Sequence, residues 1–249
     1  MADLRVLSPI DAGAELNELR RKGLNFDPAE IEPAAAPSWR TDDYHQRLAT
    51  EPPGVPVTGG SWHVACRLTE SYEFVDPALV RAFYDPRDAP EDRTMLLEVD
   101  FWGLRIYAGV RSMGIVEETR NEEQGPARVW TWSYRTLEGH FEMGQIDYEV
   151  RKWLDSGEVE FRIHAVSRTA KVDQLVVRIG FAIFGRRKQV EFARSACARM
   201  AELTSAVLSG DLVLETAPPV DRPLDIRPLP DKQTAIEKAV GRVRRVYHR

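Results

Sequence analysis

The chain has 249 residues, of which 43% are hydrophobic and 29% charged, and its formal net charge is −5. That apolar content supports a packed core and excludes a fibrous or wholly disordered chain, while the acidic balance weighs against a globally basic nucleic-acid binder. Cys66 and Cys197 stand alone and far apart, which excludes a disulfide scaffold or a cysteine-rich zinc module.

Residues 1–20 lack the basic start and unbroken apolar run of a secretory signal and read as retained. The most apolar later stretch, residues 175–184, is interrupted by Arg178 and flanked by Arg186, Arg187 and Lys188, so no membrane span is expected and a cytoplasmic location is the default. Closely spaced prolines and glycines mark residues 1–60 as an irregular N-terminal extension, with one short helix within residues 14–22. The alternation in WHVACRL, residues 62–68, predicts a strand. Asp76 and Pro77 then suit the cap and first position of a short helix over residues 77–84.

From Thr94 the pattern is that of strands. MLLEVDFWG, LRIYAGVR and RSMGIVEETR come first, and RVWTWSYRT then alternates strictly, with Trp130, Trp132 and Tyr134 on one face. MGQIDYEVRKW places Ile146, Tyr148 and Val150 opposite Gln145, Asp147 and Glu149. Asp155, Ser156 and Gly157 predict a hairpin turn into EVEFRIHAVSR, whose Val159, Phe161, Ile163 and Ala165 oppose Glu160, Arg162 and His164.

The period then lengthens to a helical one. Val172, Leu175, Val176, Ile179 and Ile183 make one stripe, continued by Val190, Ala193, Cys197, Met200, Leu203 and Val207. A helix over residues 171–208 is predicted, bent near Gly180 or Gly185. The expected fold is α+β: a curved antiparallel β-sheet packed against a long C-terminal helix, helix-grip-like, in a domain of residues 61–209. A proline-rich connector follows at 210–230. Residues 231–249, with six basic against two acidic side chains, predict a basic amphipathic helix that either docks on the domain or meets a protein partner, RNA or an anionic membrane.

WSYRTLEGHFEMGQIDYEV, followed by VEFRIHAVSR and a helix containing FGRRKQVEFARSACARM, resembles the DUF1990 (UPF0548) family. The matching positions are Tyr134, Thr136, Leu137, Gly139, His140, Glu142 and Gly144, with Ser167 and Arg168 downstream. The chain departs from the family pattern at Phe141 and Thr169, where a proline is usual. The resemblance implies kinship with the START and Bet v 1-like helix-grip superfamily, and hence an apolar ligand cavity.

Trp130, Trp132 and Tyr134 are candidate cavity-lining rings or ordinary core, and Tyr107 and Trp102 are candidates for the same wall. His140 either holds a turn, touches a ligand or acts as an acid or base oriented by Glu142. Arg168 either pairs with an acidic ligand group or joins a network with Glu142 or Asp147. A small apolar or aromatic molecule is thus the expected ligand, with an enzyme using His140, Glu142 and Arg168 and a protein-interaction module using the C-terminal helix as alternatives. No metal site or cofactor motif is expected, the two cysteines read as small core residues, and nucleic acid is an unfavoured partner.

Overall fold

Helix α1 (Ala12–Leu19) and strand β1 (Arg40–Arg47) precede helix α2 (Ser61–Glu70) in the computed structural model. Six strands follow in succession: β2 (Val80–Phe83), β3 (Thr94–Phe101), β4 (Leu104–Glu122), β5 (Gly125–Thr136), β6 (Glu142–Trp153) and β7 (Val159–Thr169). Helix α3 (Arg186–Ser209) comes last. The structure describes residues 12–31, 39–85, 87–101, 104–170 and 186–214, with side chains for all but 100, 101, 104 and 105.

All seven strands pair antiparallel in one sheet of order β1-β7-β6-β5-β4-β3-β2. The expected curved, gripping sheet is therefore corrected to an open one. Its two end strands, β1 and β2, do not pair with each other, so no described strand closes the sheet on itself. Alternation in the sequence fixes which side chains share a face; it does not encode how the ends of the sheet meet.

The period-two pattern does its work in the centre. Trp130 pairs with Val150, Trp132 with Tyr148, and Tyr134 with Ile146, while β7 places Phe161 and Ile163 beside Val150 and Tyr148. These side chains meet Trp62, Val64, Ala65 and Leu68 of α2 and Ala193, Ala196, Cys197 and Met200 of α3 in the principal core. Each large side chain buried there contributes about 2–3 kcal/mol. Trp132 also stacks on Tyr148 at 5.9 Å, and its Nε1 donates to Ser112 Oγ at 2.9 Å and to the Pro90 carbonyl at 3.0 Å, so the polar edge of the ring is satisfied.

The opposite face is covered differently. Ala12, Leu16 and Leu19 of α1 pack on Leu96 and Leu137. Gly109 permits this approach, because a Cβ there would lie 2.3 Å from Leu19 Cδ2. Arg111 Nη2 donates to the carbonyls of Leu19, Arg20 and Lys22 at 2.9–3.2 Å, satisfying acceptors that the helix end would otherwise leave bare. Tyr107 packs with this α1 cluster, away from Trp130, Trp132 and Tyr134, while Trp102 lies outside the described residues.

Three local expectations are corrected. Residues 62–68 belong to α2, not to a strand. The helix has no side-chain cap of its own at Gly60; instead Glu51 Oε1 accepts the Trp62 N–H at 2.9 Å, and Glu51 Oε2 accepts Lys152 Nζ at 2.7 Å. Residues 77–84 do not form a helix: a turn at Pro77 leads into β2 at Val80, which pairs with Val99. Finally, residues 40–47, within the stretch read as irregular, form β1 along β7. The described final helix has 24 residues. The preceding expected helical segment, its bend at Gly180 or Gly185, most of the proline-rich connector and the basic C-terminal helix fall outside the described residues.

Candidate functional site

Between α3 and the sheet, beside the packed aromatic core, lies a cavity of about 180 Å³. Tyr72, Tyr134, Ile163 and Phe192 supply its apolar wall, and Asp42, His140, Glu142, Lys188 and Gln189 its polar end.

Tyr72 enters the wall through an unusual backbone. It follows the last turn of α2 with φ 62°, a left-handed conformation that glycine normally supplies. Its N–H bonds to the Thr69 carbonyl at 3.1 Å and the next N–H, of Glu73, to Leu68 at 3.0 Å, the paired bonds that close a helix end. A non-glycine residue here costs about 1–2 kcal/mol. The ring offsets that cost by packing on Phe74, Trp132 and Tyr148. Its hydroxyl meets Tyr134 at 3.5 Å, and Tyr134 meets Tyr148 at 3.3 Å. Burial raises all three phenols above their ordinary value, so the chain of hydroxyls stays protonated.

The turn between β5 and β6 builds the polar end. The His140 N–H donates to the Leu137 carbonyl at 3.0 Å, and His140 Nδ1 accepts the backbone N–H of Glu142 at 2.9 Å. An accepting Nδ1 leaves the proton on Nε2. Burial pushes the imidazole down to about 4, so the ring is neutral. Asn25 ties the two strand ends together: its Nδ2 donates to the Glu142 carbonyl at 2.8 Å, and its Oδ1 accepts from Thr136 Oγ1 at 2.7 Å. Gly144 completes the turn region with φ 155°, where a Cβ would lie 2.1 Å from the Val166 carbonyl oxygen.

Glu142 is partly buried and lines the cavity. Gln189 Nε2 donates to its Oε1 in a short hydrogen bond, while Gln189 Oε1 is itself buried without a donor. Burial pushes the carboxyl up to about 7, opposed by the Gln189 bond and the positive charge of Arg40 and reinforced by Asp42.

Of the residues singled out in the sequence, Tyr134, His140 and Glu142 come together at this cavity. Trp130 and Trp132 lie in the solid core beside it. Arg168 is elsewhere: Nη2 pairs with Glu30 Oε2 at 2.9 Å, and the guanidinium sits over the Trp39 ring at 4.5 Å, clamping the N-terminal segment. Arg162 and His164 lie on the other face, where both bond Asp43. His140 and Glu142 touch through a backbone amide and not through the carboxylate, so they do not form an acid–base pair. Asp42, Tyr72, Gln189 and Phe192 were missed. Only the YEF ring pair, residues 72–74, carried a signal, and the others are ordinary polar or apolar positions in their elements.

Both cysteines are buried; burial raises the Cys66 thiol well above its ordinary value and Cys197 to about 11, leaving neither as a ready thiolate. Among the described residues, no group of three or more His, Cys, Asp or Glu side chains could hold a metal ion, and no helix is long and apolar enough to cross a membrane.

Fold and site together define an α+β domain with a ring-walled cavity whose polar end is a turn between two central strands. Residues 27–199 match the family described as Domain of unknown function (DUF1990), and the chain belongs to that family. The crystal structure of Ara h 8.0201 is similar at 9% identity and TM-score 0.38, covering 69% of this chain and 99% of that one. The hypothetical protein jhp0584 from Helicobacter pylori is similar at 8% identity and TM-score 0.40, covering 73% and 96%. At such scores the architecture rests on this chain's own strand order and helix placement. No curated protein matches the sequence.

Proposed function

We propose that this chain binds a small apolar or aromatic molecule in the cavity between the sheet and α3. Tyr72, Tyr134 and Phe192 contact its body, and the His140–Glu142 turn meets its polar end. The supporting observation is the partly open cavity of about 180 Å³ bounded by rings on one side and a few polar groups on the other. An apolar cavity of roughly 150 Å³ is enough for a benzene ring, so one substituted ring fits. Trp130 and Trp132 back the wall from the core and hold its rings in place. Binding is favoured over proton transfer because the imidazole's accepting nitrogen is already occupied by the Glu142 amide.

Native mass spectrometry of the gently purified full chain tests this reading, with Ala193→Phe as the variant that places a ring in the cavity. The expected result is a released small molecule from the native chain and its loss from the variant, with thermal melting showing that the variant is folded. If the native chain carries nothing and 2-phenylethanol added to it produces no calorimetric heat of binding, the reading is wrong.

A further inference from the structure

We propose that the occupant of this cavity carries an amine, cationic at neutral pH, that docks its N–H groups on the free oxygen of Glu142. This rests on the ligand-binding reading above and adds to it the chemistry of the ligand's polar end.

Among the described residues, the charged side chains that line the cavity are ion-paired, with the exception of Glu142. Asp42 is paired with Arg186, and Lys188 with Glu191 at 3.1 Å. Glu142 has no ion pair among the described residues, although it is enclosed and faces an apolar space. Among the described residues its only side-chain hydrogen-bond partner is the neutral Gln189, which binds Oε1 and not Oε2. Arg40 acts on it at a distance without forming an ion pair; a buried carboxylate with no bonded counter-cation is costly, and the space beside it is where one fits.

The hydrogen-bonding inventory points the same way. Among the described residues no hydrogen bond reaches Oε2 of Glu142, and Oε1 of Gln189 is buried without a donor. An ammonium group carries three donors and no acceptor, so it serves Oε2 directly and reaches the Gln189 oxygen after a rotation of that amide. The Tyr134 hydroxyl, close enough for Glu142 to raise its pKa, can accept a further bond. A carboxylate ligand fares worse: it would stand beside Glu142 and find Lys188 already held by Glu191. A hydroxyl ligand satisfies one acceptor and leaves the charge without a partner.

Proton linkage follows from this geometry. The groups facing the Glu142 carboxyl are Arg40 and Asp42 from β1, Tyr134 from β5, His140 from the preceding turn, and Lys188 and Gln189 from α3. His140 is held neutral, pushed down to about 4. Glu142, raised to about 7 in the free cavity, is mostly protonated at pH 6 and mostly ionised at pH 8. An ammonium binds the ionised form, so its affinity rises about tenfold over that interval. A carboxylate shows the reverse slope.

Isothermal titration of the full chain with three one-ring probes decides the matter: 2-phenylethylamine, phenylacetate and 2-phenylethanol, each at pH 6, 7 and 8, against the native chain and Glu142→Gln. We expect the amine to bind roughly tenfold or more tightly than phenylacetate at pH 8. Its affinity should climb with pH, and both effects should vanish in E142Q while 2-phenylethanol changes by less than about threefold. Tightest binding by phenylacetate, or amine binding indifferent to E142Q, overturns the amine and leaves the cavity reading standing. If none of the three probes binds, the cavity reading falls and the amine with it.

Discussion

Strand β6 carries two enclosed carboxyls, Glu142 at its start and Glu149 near its end, on opposite faces of the sheet. Glu149 looks onto the face without α2 and α3, where Arg120 Nη1 reaches it at 2.6 Å, Arg162 Nη1 at 2.9 Å, and Arg151 in a still shorter contact. Burial pushes its carboxyl up, but the three guanidiniums outweigh that and hold it at about 2. Glu142 meets desolvation with one neutral amide and the unbonded charge of Arg40, and stands at about 7. Enclosure is common to both, so counter-charge decides between a carboxylate built into the fold and one left available to a ligand.

Removing the paired carboxylate separates the two most sharply. Glu149→Gln leaves three arginines without their shared anion and should cost about 3 kcal/mol in urea unfolding at pH 7; a loss under about 1 kcal/mol would make the cluster a surface ornament. Glu142→Gln should act with the opposite sign. The folded carboxyl's pKa is raised above the unfolded one, so its contribution is full below about 4.5, is lost as pH rises through 7, and by pH 8 amounts to a penalty of about 3 kcal/mol that the amide removes. Melting curves of the two chains should coincide near pH 4 and diverge in favour of the variant at pH 8. For native Glu149 the sign runs the other way, its stabilisation being present above about 4.5 and lost as pH falls toward 2; burial of His140 adds to the same acid loss between 6.5 and 4.

Smaller substitutions refine the contrast on the arginine-rich face. Thr131 is paired in register with Glu149, yet its hydroxyl is buried without a partner, so Thr131→Val should raise stability by about 1 kcal/mol in the same urea experiment. His164→Ala removes partly exposed contacts with Asp43 and Arg162 and should shift unfolding by less than about 1 kcal/mol.

The central sheet was legible because its side chains alternate without interruption from Val129 to Tyr134 and from Val159 to Ile163, and because each strand ends at a recognisable turn. α2 was not, because the group that caps it, Glu51, lies ten residues away from Ser61 and is held by Lys152 of β6. A local window sees only WHVACRL, which alternates as well as it spirals. β4 hid a second difficulty: its register shifts between Ser112 and Ile115, so Val110 and Ile115, of opposite parity, both pack toward the principal core. The cavity was half visible. Tyr134, His140 and Glu142 lie within one hairpin and announced themselves together, whereas Asp42, Tyr72 and Gln189 arrive from three other elements and meet them only in space.

β1 also escaped notice, for its RTDDYHQR sequence has scarcely an apolar residue to alternate. That polarity has a consequence for how the molecule behaves among its own copies. β1 ends the strand order, the place where an alternating apolar strand would recruit a matching strand from a neighbour and begin an aggregate. Asp42, Asp43 and Arg47 make such recruitment unfavourable, since each would have to be desolvated or drawn from its partner. The charges that concealed the strand from sequence reading thus guard the sheet against growing beyond seven strands.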